Sequence, residues 1–277
     1  MTGLELVGMD VLARHHVSVS GPEDGQPMVF GHGFGCDQTM WRYVAPAFAD
    51  RYRVITFDHI GSGGSDASAF DPDKYANLEG YAADVIELVG EMELTDVVFV
   101  GHSVSAMIGA LAVAAAPERF DKLVMVSPSP RYIDDVDYTG GFTREDIEDL
   151  LESLASNYLE WSSVMAPVIV GNPERPELGD ELTASFCRMH PAIARQFAAT
   201  TFLSDNRQDL SRVDVPTLVL QCSRDAIAPP AVGRYVASAV SDGTLVQLAA
   251  TGHCPNLSAP EETIGAIEEF LRRRESA

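Results

Sequence analysis

The sequence predicts an α/β protein with a mostly parallel central sheet flanked by helices and one helical insertion. Three observations predict it. Short β-branched runs, apolar on both faces, alternate with helical segments, as parallel strands covered on both sides must. A tight turn of the form Gly-x-Ser-x-Ser, Gly101-His102-Ser103-Val104-Ser105, joins one such run to a helix of small residues. From about Ser129 to about Asp205 the alternation stops and no convincing strand is found.

The strands are read in order. Met28-Val29-Phe30, Val54-Ile55-Thr56-Phe57, Val97-Val98-Phe99-Val100, Leu123-Val124-Met125-Val126 and Thr217-Leu218-Val219-Leu220 are buried runs, and Thr244–Leu248 is the last. Between them, helices are predicted over Asp37–Phe48, Tyr75–Glu91, Ser103–Ala116 and Pro230–Val240. Ser258-Ala259-Pro260-Glu261 resembles a capping box with proline in the first turn, and Ile264, Ile267 and Leu271 follow on one face. Inside the interruption, Ile147, Leu150, Leu151, Leu154, Tyr158, Trp161 and Met165 recur at helical spacing. Pro167, Pro173 and Pro176 then break the stripe, and a further helical run follows around Phe186 and Ile193–Phe197. The stripe is richer in aromatic residues and Met than packing requires, which predicts that part of it lines a ligand pocket. The division is a core of residues 1–128 and 206–277 around a helical cap of 129–205.

Bulk composition narrows the function. The chain has 277 residues, 46% of them hydrophobic, and a formal net charge of −22. That surface repels nucleic-acid phosphates and anionic membranes, so neither is expected as a partner. No apolar stretch is long enough to span a bilayer. No basic segment followed by an apolar run opens the chain, so no signal peptide is expected. Cys36, Cys187, Cys222 and Cys254 form no Cys-x-x-Cys pair, which fits free thiols in a reducing cytoplasm.

The chemistry is concentrated at Ser103. A strand, then Gly-x-Ser, then a helix of small residues is the context of a nucleophile elbow, which holds the serine clear of the sheet on a strained turn. The helix aims its N-terminus at the reaction centre, where N–H groups favour negative charge. Ser105 stands where the regular motif has glycine. A serine hydroxyl needs a base, and His253 in Thr251-Gly252-His253-Cys254-Pro255 is placed for it, between the last strand and the last helix. The other histidines fit worse: His15 and His16 precede the first strand, His59 follows an early strand, His190 lies in the insertion, and strand geometry turns His102 away from Ser103. The base needs a carboxylate to fix its tautomer. Asp225, in the loop Ser223–Pro229, gives the order Ser…Asp…His; Asp134 or Asp135 is the alternative. Two amides are expected to hold the oxyanion, each contributing on the order of 2.7–4 kcal/mol: that of Val104, next to the nucleophile, and that of Phe34 in the glycine-rich turn Gly31-His32-Gly33-Phe34-Gly35. No metal or cofactor is implied, and no Gly-x-Gly-x-x-Gly follows the first strand to bind a dinucleotide.

With these residues placed, the chain resembles the RsbQ-like branch of the α/β-hydrolase superfamily, which holds the bacterial stress-response regulator RsbQ and the plant karrikin and strigolactone receptors. The matching stretches are Gly31–Trp41, Asp58–Asp66, Gly101–Gly109, Ser127–Tyr132, Gly140–Phe142, Pro191–Phe202, Gln221–Pro229 and Gly252–Ser258. Ser105 matches the plant-receptor form of the elbow, and Gln221–Pro229 is spaced more like the bacterial form. The resemblance implies an α/β-hydrolase fold with a four-helix cap insertion over a closed, mostly apolar pocket. On that basis Phe34, Tyr132, Trp161, Phe186 and Phe202 are expected on the pocket wall. It also implies a small hydrophobic ester or lactone ligand, slow turnover and, in the bacterial case, a phosphatase partner in a stress-response pathway. Two functions are therefore expected: a serine esterase, or a signalling protein that senses or processes a ligand in the same pocket. A perhydrolase or carbon–carbon bond hydrolase would use the same triad.

Overall fold

One seven-stranded sheet organises the chain, and the computed structural model describes residues 11–275 of it. The strands are β1 (Ser18–Ser20), β2 (Gln26–Gly31), β3 (Tyr52–Thr56), β4 (Val97–His102), β5 (Phe120–Val126), β6 (Thr217–Arg224) and β7 (Gly243–Thr251), in the spatial order β1-β3-β2-β4-β5-β6-β7. β1 pairs antiparallel with β3, and the pairings from β3 to β7 are parallel. This is the expected sheet, with each predicted run inside or overlapping a strand. Residues 1–10, on which the expectation of no signal peptide rests, lie outside the described residues.

The helices are α1 (Val11–Arg14), α2 (Leu78–Glu91), α3 (Val104–Ala115), α4 (Arg144–Ser156), α5 (Tyr158–Val170), α6 (Pro176–Phe186), α7 (Pro191–Phe202), α8 (Pro230–Ala239), α9 (Pro255–Ser258) and α10 (Pro260–Glu275). α3 packs on β4 and β5, α8 on β6 and β7, and α10 on β6 and β7. Every side chain of β4 is buried, so the strand that delivers Ser103 is the best-covered part of the sheet. Among the described residues, no helix is long and apolar enough to cross a membrane.

Four local expectations are corrected. Asp37–Phe48 is not one helix but two 3-10 turns, Gln38–Trp41 and Ala45–Phe48. Asp37 caps the first through Thr39 N, and Pro46 lies in the first turn of the second, where its missing N–H costs nothing. The apolar stripe of the insertion belongs to two helices. It breaks at Asn157, which ends α4 and caps α5 by accepting from Glu160 N. Pro167 does not end α5, which continues to Val170; the backbone of Gly179 on α6 packs close against its ring, covering that turn. Ser258 does not cap α10, which begins at Pro260, so that Ala259 and not Ser258 stands at the residue before it.

α4 to α7 fall between β5 and β6, and the chain leaves and re-enters the core at one neck. There Arg131 and Asp205 form an antiparallel bridge and a 2.6 Å ion pair. Asn206 N donates to Pro130 O at 2.8 Å, and Arg207 reaches both Asp205 and Asp135.

Candidate active site

The site is built at the C-terminal ends of β4, β6 and β7, where loops in an α/β sheet converge. Ser103 occupies the turn between β4 and α3 with φ +55 and ψ −120. Few L-residues adopt such a conformation, and its cost persists only because packing enforces it. The enforcement is visible at Gly101: a Cβ there would lie 2.3 Å from Ser105 O, so the turn closes only over glycine.

His253 stands between the other two members. Its Nε2 is 2.7 Å from Ser103 Oγ and its Nδ1 is 2.8 Å from Asp225 Oδ2. All three residues are buried. Asp225 Oδ1 accepts from the N–H groups of Ile227 and Ala228, at 2.8 and 3.1 Å, so its loop fixes the carboxylate before the histidine uses it. Burial alone would raise the Asp225 carboxyl. The adjacent His253 and these hydrogen bonds outweigh it and hold the group below the usual carboxylate range. The alternatives are occupied elsewhere: Asp134 accepts from Gly140 N and Gly141 N, and Asp135 pairs with Arg207.

The main chain of His253 is gripped from both sides. Its N–H donates to Ile169 O, from α5, at 2.9 Å. Its carbonyl accepts from His102 Nε2 at 2.8 Å. Gly252 before it has φ +85, and a Cβ there would strike Val170 O, so the turn needs glycine at this point.

Gly33, in the loop after β2, packs close to the Ser103 side chain. Among the described residues, neither Phe34 N–H nor Val104 N–H has a hydrogen-bond partner in the protein. Both are thus available for an oxyanion. The Phe34 ring packs against Trp161, Phe186, Phe197 and Phe202 at 5.6–6.2 Å.

A largely apolar cavity meets Ser103 and His253. Phe34 lines it, joined by Tyr132, Ile169, Phe186, Thr201 and Phe202 from the insertion. Trp161 stands behind this wall, 5.5 Å from the Phe186 ring and stacked on Tyr158. About 30 Å³ of the cavity can hold the centre of a water molecule. Burial pushes the Tyr132 phenol up, and its interaction with Ser103 only partly offsets this. The cavity thiols Cys36 and Cys254 are likewise driven up by burial, so neither competes as a thiolate nucleophile.

The model of the alpha/beta hydrolase family matches residues 28–266. The chain belongs to that family. It is 40% identical over 254 residues to the karrikin insensitive 2 receptor CA of Petunia hybrida, covering 91% of this chain and 94% of that one. It is 36% identical over 265 residues to the strigolactone esterase D14 of Arabidopsis thaliana, covering 95% and 97%. Among solved structures, a hydrolase from Oleispira antarctica superposes with a TM-score of 0.92 at 36% identity, covering 95% of this chain and 96% of that one. The resemblance to the plant receptors is thus sustained along the chain.

Two residues of this hydrolase escaped the sequence reading. His102 does turn from Ser103, but it turns onto the loop that carries His253, with the two rings 5.1 Å apart. Burial, reinforced by the neighbouring His253, pushes His102 down to about 3, so it is neutral. Ser105 reads in the sequence as a residue in place of glycine, with no partner of its own. Its hydroxyl donates to His32 O and lies 2.6 Å from His59 Nε2. His59 N donates to His32 Nε2 at 3.0 Å, and His32 Nδ1 lies 2.9 Å from Gly33 O. A buried chain of contacts thus ties the elbow to the turn that presents Phe34. The signal was the conjunction of His32, His59 and a hydroxyl at position 105, which spacing alone does not connect.

Proposed function

We propose that this protein is a serine hydrolase that opens a small apolar ester or lactone through an acyl-enzyme. The observation that carries the reading is the placement of one imidazole, His253, within hydrogen-bonding distance of both the Ser103 hydroxyl and the Asp225 carboxylate. Ser103 Oγ attacks the carbonyl carbon while its proton passes to His253 Nε2. Asp225 stabilises the imidazolium and keeps its ring oriented. The carbonyl oxygen takes the negative charge and is held by the N–H groups of Phe34 and Val104. Collapse breaks the bond to the alkoxy oxygen, which leaves with the proton from His253; in a lactone it stays tethered to the acyl group. Water, deprotonated by His253, then releases the acid and restores Ser103. Residues 129–205 act as the cap that excludes bulk water, and the apolar wall selects the ligand's body.

Ser103→Ala should abolish hydrolysis of p-nitrophenyl esters while the circular dichroism spectrum and melting profile stay those of the folded protein. Mass spectrometry after a serine-directed phosphonate should find one adduct, on Ser103. Turnover retained by the alanine variant would refute the assignment.

The receptor names among the relatives favour a second reading, in which the same pocket processes its ligand slowly and reports occupancy to a partner. The expected partner on that reading is a phosphatase of a stress-response pathway. Ester turnover of many per second with no protein captured from the native host would count against it. Slow turnover with ligand-dependent capture of a phosphatase would favour it.

A further inference from the structure

The cavity wall is apolar except near the triad, at two protonated thiols and at one further residue, Thr201 on α7. Thr201 is 1% exposed, and its Oγ1 has no hydrogen-bond partner. A buried helical hydroxyl ordinarily escapes this by donating to the carbonyl four residues back. This protein uses that solution repeatedly: Ser162 donates to Tyr158 O, Ser163 to Leu159 O, Thr183 to Gly179 O and Thr263 to Ala259 O. The adjacent Thr200 is also satisfied, donating to Tyr75 O across the helix. Thr201 alone of these forgoes a protein partner, and it does so on the cavity wall. Its neighbour Phe202 packs on Tyr132 at 5.0 Å and on Phe34 at 6.2 Å, so this part of α7 shapes the space above Ser103. An unpaired hydroxyl in an apolar wall penalises the empty cavity and rewards a ligand that brings a partner.

We propose that Thr201 is a specificity-determining residue. Its hydroxyl donates to a second oxygen of the ligand, set apart from the carbonyl that Ser103 attacks. The ligand class is then an ester or lactone whose apolar body carries a further ether, carbonyl or hydroxyl oxygen, rather than a plain hydrocarbon acyl chain. This inference rests on the hydrolase reading.

The test is an oxygen scan at constant shape. Hydrolysis of p-nitrophenyl hexanoate is compared with its 3-oxa, 4-oxa and 5-oxa analogues in the wild type, in Thr201→Val and in Thr201→Ser. The readout is the ratio of kcat/KM for each oxa ester to that of the parent, which cancels changes common to all substrates. At one oxygen position the ratio should fall about 3–10-fold in Thr201→Val, the size of one net hydrogen bond, and Thr201→Ser should keep it. Ratios in Thr201→Val within about 1.5-fold of wild type at all three positions would overturn the assignment. Phosphonate labelling of Ser103, run alongside, separates the two failures. Labelling with flat ratios sinks the Thr201 inference alone, whereas absence of both labelling and ester turnover sinks the hydrolase reading and this inference with it.

Discussion

His102 donates its Nε2 hydrogen to the carbonyl of His253, 2.8 Å away, so the residue beside Ser103 holds the loop of the imidazole that faces it. The two are 151 positions apart in the chain. The contact joins the end of β4 to the turn after β7, across two intervening strands. With Ile169 O taking the N–H of His253, the backbone of the base is fixed independently of its ring. The ring then has only to choose its rotamer, and Asp225 chooses it. A preorganised base of this kind avoids reorganisation when charge develops.

Removing that grip should be felt mainly in turnover. His102→Ala leaves the His253 carbonyl unpaired in a buried place, a loss of about 1–3 kcal/mol from the unmet acceptor, with packing loss added. The expected kinetic result is a fall in kcat of about 10-fold or more with a smaller change in KM, as misplacement of the base raises the barrier more than it weakens binding. His102→Gln, which can still offer an N–H, should recover part of kcat. Equal kcat values for the alanine variant and the wild type would show that the contact does not position the base.

Ser105 makes a second prediction. Ser105→Ala removes the donor to His32 O and the acceptor for His59 Nε2, both buried. Stability should drop by about 1–3 kcal/mol, read as a lower urea midpoint with unchanged slope. The loop that presents Phe34 N–H should also loosen, so kcat should fall more than KM rises. A variant with wild-type midpoint and kcat would mean that the chain of contacts constrains nothing.

Much of this was legible in the sequence because the signals were local. β4 and α3 announce themselves by composition, and the elbow between them by Gly101 and Ser103. The loops of Asp225 and His253 and their order in the chain mark them out, and the fold brings both to Ser103. What was not legible depended on tertiary closure. The stripe from Ile147 to Met165 reads as one helix, since the break at Asn157 preserves the face. Pro167 reads as a stop, yet the helix runs on to Val170 with Gly179 of α6 close beside the proline. Trp161 and Phe186 are indistinguishable by pattern, yet one backs the wall and the other forms it. Strand alternation turns His102 away from Ser103, and its grip on a carbonyl 151 positions away cannot be read from that alternation.

The depressed carboxyl of Asp225 sets the pH behaviour. Its folded pKa lies below its unfolded value, so its contribution to stability is fully present above the unfolded value, about 3.9. That contribution is lost as pH falls through the folded value. The stability difference between wild type and Asp225→Asn should therefore be constant above about pH 5 and shrink toward lower pH, read from urea midpoints between pH 3 and 6. A difference that grows toward acid would contradict a depressed carboxyl. At neutral pH the same variant should lose on the order of 10³–10⁴ in kcat, because an amide cannot stabilise the imidazolium.

The narrowness of the cavity makes a last prediction, about motion. Space for the centre of a water molecule is only about 30 Å³, and Ser103, Cys36 and Cys254 are all buried, so ligand entry is expected to require the wall to part. The cysteines can time this event. Cys187 is exposed, whereas Cys36, Cys222 and Cys254 are buried. Burial pushes the Cys222 thiol up to about 12 and raises the other two as well. Iodoacetamide should therefore modify Cys187 quickly in the folded protein and the other three slowly, at rates set by opening. Cys36 and Cys254 line the cavity and Cys222 does not. A phosphonate on Ser103 should slow the first two further and leave Cys222 at its original rate, if opening of the cavity is what admits the reagent. Peptide mapping of alkylation over time reads all four sites at once. Cys254 reacting as fast as Cys187 would mean that the cavity stands open in solution; equal slowing of Cys222 would mean that labelling reports global unfolding instead.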